Sequence, residues 1–137
     1  MKRTFFSLAL LLAVATLTAQ TKMTAREAAV KIADRILAST TYEFKNTKTG
    51  ETYKSVKKLP LDMNVKVACK YNNWHYTNGV TNMALMELGD KLADKKYEKY
   101  VLKNMNFVFN EGNLDFFRKQ YDEAFKRDGW NAVRKLS

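Results

Sequence analysis

At 137 residues the chain has room for one domain. Its 24 lysines and arginines against 14 acidic residues give a formal charge of +10. Stretches such as Asp94-Lys95-Lys96 and Glu98-Lys99 nevertheless interleave the signs as on a solvated helix face. With no arginine-rich run or RNA-binding signature, nucleic acid is not the expected partner, although the positive excess permits a polyanion such as an acidic polysaccharide.

Residues 1–19 read as a secretory signal peptide. Lys2 and Arg3 form a basic start, Phe5 to Leu17 is an almost unbroken apolar run, and small residues precede polar sequence. Cleavage is expected after Ala19, or after Ala15 in Ala13-Val14-Ala15. The run is shorter than the roughly 20 apolar residues of a membrane span, which favours a cleaved signal over the competing reading, an uncleaved anchor. Residues 20–137 are then expected to be secreted or periplasmic, free of the membrane after cleavage. Cys69, the only cysteine, lies among Val65, Val67 and Ala68 and reads as a small buried hydrophobe.

Thr24-Ala25-Arg26-Glu27 is a capping box, and Ala25, Ala29, Ile32, Ala33, Ile36 and Leu37 recur at helical spacing. A helix is predicted from about Ala25 to Ala38. Tyr42-Glu43-Phe44 and Thr52-Tyr53-Lys54 flank a turn-rich centre and suggest a small hairpin. Pro60 sits in an irregular segment running to about Lys70. A second helix follows to about Leu92, with Ala93-Asp94 as a tight junction. A third helix, Lys95 to about Asn110, carries the stripe Tyr97, Val101, Met105 and Val108. Glu111-Gly112-Asn113 is read as a break, and a fourth helix runs from Leu114 or Asp115 to Lys126. Asp128-Gly129 is a turn, after which Trp130 to Leu136 can begin a fifth helix. The predicted class is all-α, built from helical hairpins, with a small β-hairpin insert.

The stretch Asn72-Asn73-Trp74-His75-Tyr76-Thr77-Asn78-Gly79-Val80 stands at the mouth of the second helix. Asn72 or Asn73 can cap that helix. Trp74 and Tyr76 are flat rings with one polar atom each, suited to stacking on a sugar. His75 can orient a carboxylate, and Asn78 offers a donor and an acceptor. Gly79 lets a ligand approach the backbone. The alternative is a capped helix start whose aromatics fill the core, with Gly79 packed on a neighbouring helix.

Together, Trp74-His75-Tyr76-Thr77-Asn78-Gly79-Val80 and the later Asn113-Leu114-Asp115-Phe116-Phe117 resemble the N-terminal part of the unsaturated rhamnogalacturonyl and glucuronyl hydrolases, glycoside hydrolase families 105 and 88. The resemblance covers about Lys22 to Ser137. It implies an (α/α)6 barrel, of which this chain would supply the first hairpins. It also implies an acidic oligosaccharide substrate, from pectin or rhamnogalacturonan breakdown, whose uronic end carries a C4=C5 double bond. In that chemistry an aspartic acid protonates the vinyl ether, water adds at C5, and the hemiketal collapses without metal or organic cofactor. By the same resemblance, Trp74, His75 and Tyr76 would bind substrate and Asp115 would be the auxiliary carboxylate; Asn78 joins the binding set for its donor and acceptor. The principal acid/base belongs to a later Arg-x-Asp-Asp-Cys-Gly-like motif that this sequence lacks. Twelve helices of ordinary length need roughly 175 residues. The chain is therefore expected to be an incomplete N-terminal portion, inactive alone. The alternative is a small exported carbohydrate-binding helical module without catalysis.

Overall fold

A computed structural model describes residues 23–134, so the signal-peptide reading lies outside the described residues. The described residues fall into two units, 23–31 and 32–134, the division falling within α1 (Ala25–Ser39). In the first unit the capping box forms as read: Glu27 N donates to Thr24 Oγ1 at 3.2 Å, and Thr24 N donates back to the Glu27 carboxylate at 2.8 Å.

The second unit begins with the remainder of α1 and passes into β1 (Phe44–Asn46) and β2 (Thr52–Tyr53). The turn between them is built by Asn46, whose Oδ1 accepts from Lys48 N at 2.9 Å and Thr49 N at 3.2 Å. That side chain draws β1 on to Asn46, beyond the Phe44 limit expected from the alternation.

The segment before Lys70, read as irregular, holds a short 3₁₀ turn (Val56–Lys58) and a third strand, β3 (Val65–Val67). The insert is therefore a three-stranded antiparallel sheet in the order β2-β1-β3 rather than a hairpin. Val-Lys-Val is too short to show a period; β3 exists because Phe44 and Val65 bury on one side of the sheet. Its register pairs Phe44 with Val67, Lys45 with Lys66, and Asn46 with Val65.

Next come α2 (Tyr76–Leu92) and α3 (Lys95–Val108), packed along each other. The corner between them is tight, as predicted. Ala93 takes a left-handed conformation at φ 53°, and the Asp94 side chain caps α3 through Lys96 N at 3.0 Å. A methyl group on Gly89 would stand 3.2 Å from Asp94 O and 3.3 Å from Tyr97 Cβ. Glycine is what lets the two helices close here.

The hairpin core joins Ala33 of α1, Leu85 of α2, and Tyr97, Tyr100 and Val101 of α3. At its edge Asp34 takes a hydrogen bond from Tyr97 Oη at 2.9 Å and an ion pair from Lys96 at 2.8 Å. Lys96 first, then Tyr97, hold the Asp34 carboxyl below its ordinary value.

The last element, α4 (Glu111–Val133), begins earlier than expected. Asn110 Oδ1 accepts from Gly112 N at 3.0 Å and Asn113 N at 3.4 Å. The break thus lies at Phe109–Asn110, and Glu111-Gly112-Asn113 is the first helical turn, with Glu111 at the positive dipole end. Asp128 and Gly129 leave helical geometry, Gly129 at φ 52°, so the predicted turn is a kink inside α4. Phe116 of α4 closes a second core with Phe44 and Val65, against which Phe107 and Phe117 pack. The described residues are mostly helical with one small sheet.

Candidate functional site

The start of α2 is organised by side-chain amides. Asn78, buried in the first turn, donates through Nδ2 to Lys70 O at 2.9 Å and Asn73 O at 3.1 Å. Asn72 Nδ2 reaches Thr41 O at 2.7 Å, and Asn104 Nδ2 on α3 reaches Tyr71 O at 3.0 Å. The loop 70–73 has no ladder of its own, so these amides satisfy its carbonyls or anchor it. The Oδ1 atoms of Asn72 and Asn104 are buried without a partner among the described residues.

The helix cap is His75, not Asn72 or Asn73. Its Nδ1 accepts from Thr77 N at 3.4 Å and lies 2.8 Å from Thr77 Oγ1. An imidazole nitrogen here does the work of the usual cap oxygen. With Nδ1 accepting, the neutral ring carries its proton on Nε2.

Trp74 is 50% exposed and Tyr76 78% exposed. Trp74 rests against Phe117, ring centroids 5.8 Å apart, and Phe117 lies 5.9 Å from Phe44. The aromatic segment before α2 and the Leu114-Asp115-Phe116-Phe117 segment of α4 therefore meet through Trp74 and Phe117.

Two hollows share the Asn73-Trp74-His75 wall. One, of about 290 Å³, is lined by Trp74, His75, Tyr76 and Asn78 together with Asn82, Asn104 and Phe109. All four binding residues singled out in the sequence border it. The other, of about 280 Å³, runs from Trp74 and His75 to β3 and α4, with Lys66, Val67, Phe117, Gln120 and Tyr121 among its walls. Gln120 is buried and donates Nε2 to Val65 O at 2.9 Å, fixing β3 against α4. Gly79 meets nothing within 4 Å of where a Cβ would stand, so it does not pack on a neighbouring helix.

Asp115 lies elsewhere. It lines a separate depression with Glu111, Gly112, Leu114 and Arg118, and its carboxylate faces Arg118 at 3.4 Å and Lys119 at 3.6 Å. Two residues along a helix are about 200° apart in direction, so Phe117 and Asp115 cannot point the same way. Cys69 is buried, accepts from Tyr71 N at 3.4 Å and borders neither hollow. Lys66, Gln120 and Asn104 were not singled out in the sequence. They border the hollows through sheet register and helix packing, for which no local motif exists.

Among the described residues no group of three His, Cys, Asp or Glu side chains gathers to hold a metal, and no helix is long and apolar enough to cross a membrane. No protein-family model, curated protein or solved structure matches the chain.

Proposed function

We propose that this chain binds the unsaturated uronyl end of a short acidic oligosaccharide against Trp74. It does so as the opening hairpins of an (α/α)6-barrel hydrolase similar to glycoside hydrolase families 105 and 88, exported from the cytoplasm. The observation that carries the reading is the gathering of Trp74, His75, Tyr76 and Asn78 around one hollow. A half-exposed indole offers a flat apolar face to the C–H face of a sugar ring and an N–H to its oxygens. With Nδ1 engaged in the cap, His75 presents Nε2–H to an acceptor such as a ring oxygen or carboxylate. Tyr76 adds a second ring beside His75, centroids 5.0 Å apart. Asn78 acts one step back: its amide nitrogen is taken up by the loop carbonyls, so it positions Trp74 rather than meeting the sugar with that atom.

Asp115 favours binding over chemistry within this chain. General acid catalysis needs the donor within hydrogen-bond reach of the reacting atom. Asp115 instead borders a different depression and is held by two cations. The second reading, a carbohydrate-binding helical module without catalysis, rests on that separation.

The test is titration with a 4,5-unsaturated uronyl disaccharide, followed by calorimetry and by Trp74 fluorescence in a Trp130→Phe background. Saturable binding is expected, weakened about tenfold in Trp74→Ala, the upper range for loss of one aromatic platform. Unchanged affinity in a folded Trp74→Ala protein removes the reading.

A further inference from the structure

The sheet carries an arrangement that folding alone does not favour. Lys45 on β1 and Lys66 on β3 are direct partners in register. Opposed residues of an antiparallel pair hold their Cβ atoms about 5 Å apart, and like charges there are destabilising. Neither lysine forms an ion pair among the described residues. The carboxylates of the insert are engaged elsewhere. Glu51 accepts from Tyr53 Oη at 2.7 Å, and Asp62 accepts from Asn64 Nδ2 at 2.8 Å and Asn46 Nδ2 at 3.0 Å. Glu43, the residue before β1, makes no ion pair either.

Lys66, partly buried where Lys45 is exposed, lines the hollow between Trp74 and α4, and Lys45 does not. It is the one lysine or arginine there, and no Asp or Glu lines the hollow. The other walls are apolar side chains, the amides of Asn73 and Gln120, the His75 ring and the Tyr121 phenol. β3 is an edge strand, and its bonding parity is fixed by Ala68 N donating to Glu43 O and Thr47 N donating to Asn64 O, each at 2.8 Å. Lys66 therefore bonds back to β1, while the Val67 N–H and C=O turn away from the sheet. The hollow combines an indole wall, a strand edge and one cation without a counter-ion.

We propose that Lys66 is the carboxylate anchor of this hollow, so that the acid group of a uronic sugar lying on Trp74 sits on its ammonium. This rests on the stacking of the sugar on Trp74, which borders both hollows; it turns the acid group toward the hollow of Lys66, away from Tyr76 and Asn78, and adds the side chain that distinguishes acidic from neutral sugars. An arriving carboxylate also screens the Lys45–Lys66 repulsion, so that binding relieves a tension of the empty sheet.

The experiment compares an unsaturated uronyl disaccharide with its carboxyl-reduced, neutral counterpart. Binding to the wild-type chain, Lys66→Gln, Lys45→Gln and Trp74→Ala is measured by calorimetry at two salt concentrations. The wild type is expected to prefer the acid. Lys66→Gln should lose about tenfold for the acid and little for the neutral sugar, as for one lost charge-assisted hydrogen bond, with a flatter salt dependence. Lys45→Gln should keep the preference within about twofold, and both lysine variants should melt slightly higher because the like-charge pair is gone. An undiminished acid preference in Lys66→Gln overturns the proposal. So does an equal loss in Lys45→Gln, which would mean a diffuse field rather than a site. If Trp74→Ala binds normally while Lys66→Gln does not, the sugar-stacking reading fails and the anion anchor stands. Binding of neither sugar by the wild type overturns both.

Discussion

On α2, Lys91 reaches Glu87 one turn back at 2.8 Å, and on α4 Lys126 reaches Glu123 at 2.7 Å. On the sheet, Lys45 faces Lys66 with no carboxylate between them. A helix brings residues three and four apart together, so local sequence can supply a partner for each charge. A sheet brings together residues distant in sequence, so the company a lysine keeps depends on register alone. The helical charges are exposed and balanced, and water and salt screen them to little net effect on stability. The sheet charges stand beside the hollow where a ligand is expected. The two regions differ in their cores as well. Tyr97, Tyr100 and aliphatic residues close the hairpin, whereas the insert hangs on phenylalanine contacts, with Phe44 stacked on Phe107 at 5.3 Å.

The strongest way to break the comparison is Phe44→Ala. Phe44 is 1% exposed and touches both Phe107 of α3 and Phe117 of α4. A loss of about 3–5 kcal/mol is expected. Urea unfolding followed by far-ultraviolet dichroism and by tryptophan emission should give one shared transition at lower denaturant. Emission from Trp74 changing well before the helices melt would show that the insert is a separable layer.

Gly89→Ala probes the hairpin side. The new methyl group would press on a backbone carbonyl and on the Tyr97 Cβ, and an overpacked contact of this kind costs about 1–3 kcal/mol. Gly79→Ala, with open space around it, should instead stabilise by up to about 1 kcal/mol through helix propensity. Equal melting points for the two variants would contradict the tight corner.

Tyr42 joins the two regions, and its effect appears only in alkali. Its ring meets Phe107 edge-on at 5.5 Å under the Lys103 ammonium, 4.1 Å from the centroid. Its hydroxyl is buried without a partner among the described residues. Burial pushes its pKa from about 10 up to about 12. The fold favours the neutral phenol, so this contribution is complete below pH 10 and lost as pH rises from 10 through about 12. Urea midpoints measured across that window should fall, and Tyr42→Phe should lose the portion of the fall that Tyr42 supplies.

What the sequence reveals divides along the same line. The Thr24–Glu27 box, the periods of α1 to α3, the Asp94 corner and the Asp128-Gly129 kink depend on neighbours within a few residues, and each is readable from them. β3 was hidden because three residues carry no period and their burial depends on Phe44, some twenty residues earlier. The α4 start was misplaced because Gly112 resembles a breaker, while Asn110, two residues before it, is a strong cap. At the site, the aromatic cluster was legible as a motif. The cap role of His75 was not, because histidine ranks low among capping residues by type alone. Nor was the divergence of Asp115 from Phe117, which becomes visible only once the phase of α4 is set.

The amide of Asn78 has one further consequence. Asn-Gly is the dipeptide in which a backbone nitrogen most readily attacks the preceding side-chain amide, closing a succinimide, expelling ammonia and opening again to a carboxylate. In the folded chain Asn78 lies in the first turn of α2 with its nitrogen tied to Lys70 O and Asn73 O. Helical geometry keeps the Gly79 nitrogen from the line of attack. Deamidation is thereby gated by the opening of that turn. A molecule that has passed through it returns with a carboxylate where two carbonyls require a donor, and it can no longer tie the loop that carries Trp74. The first turn of α2 thus shelters the amide on which its own anchoring of the Trp74 loop depends.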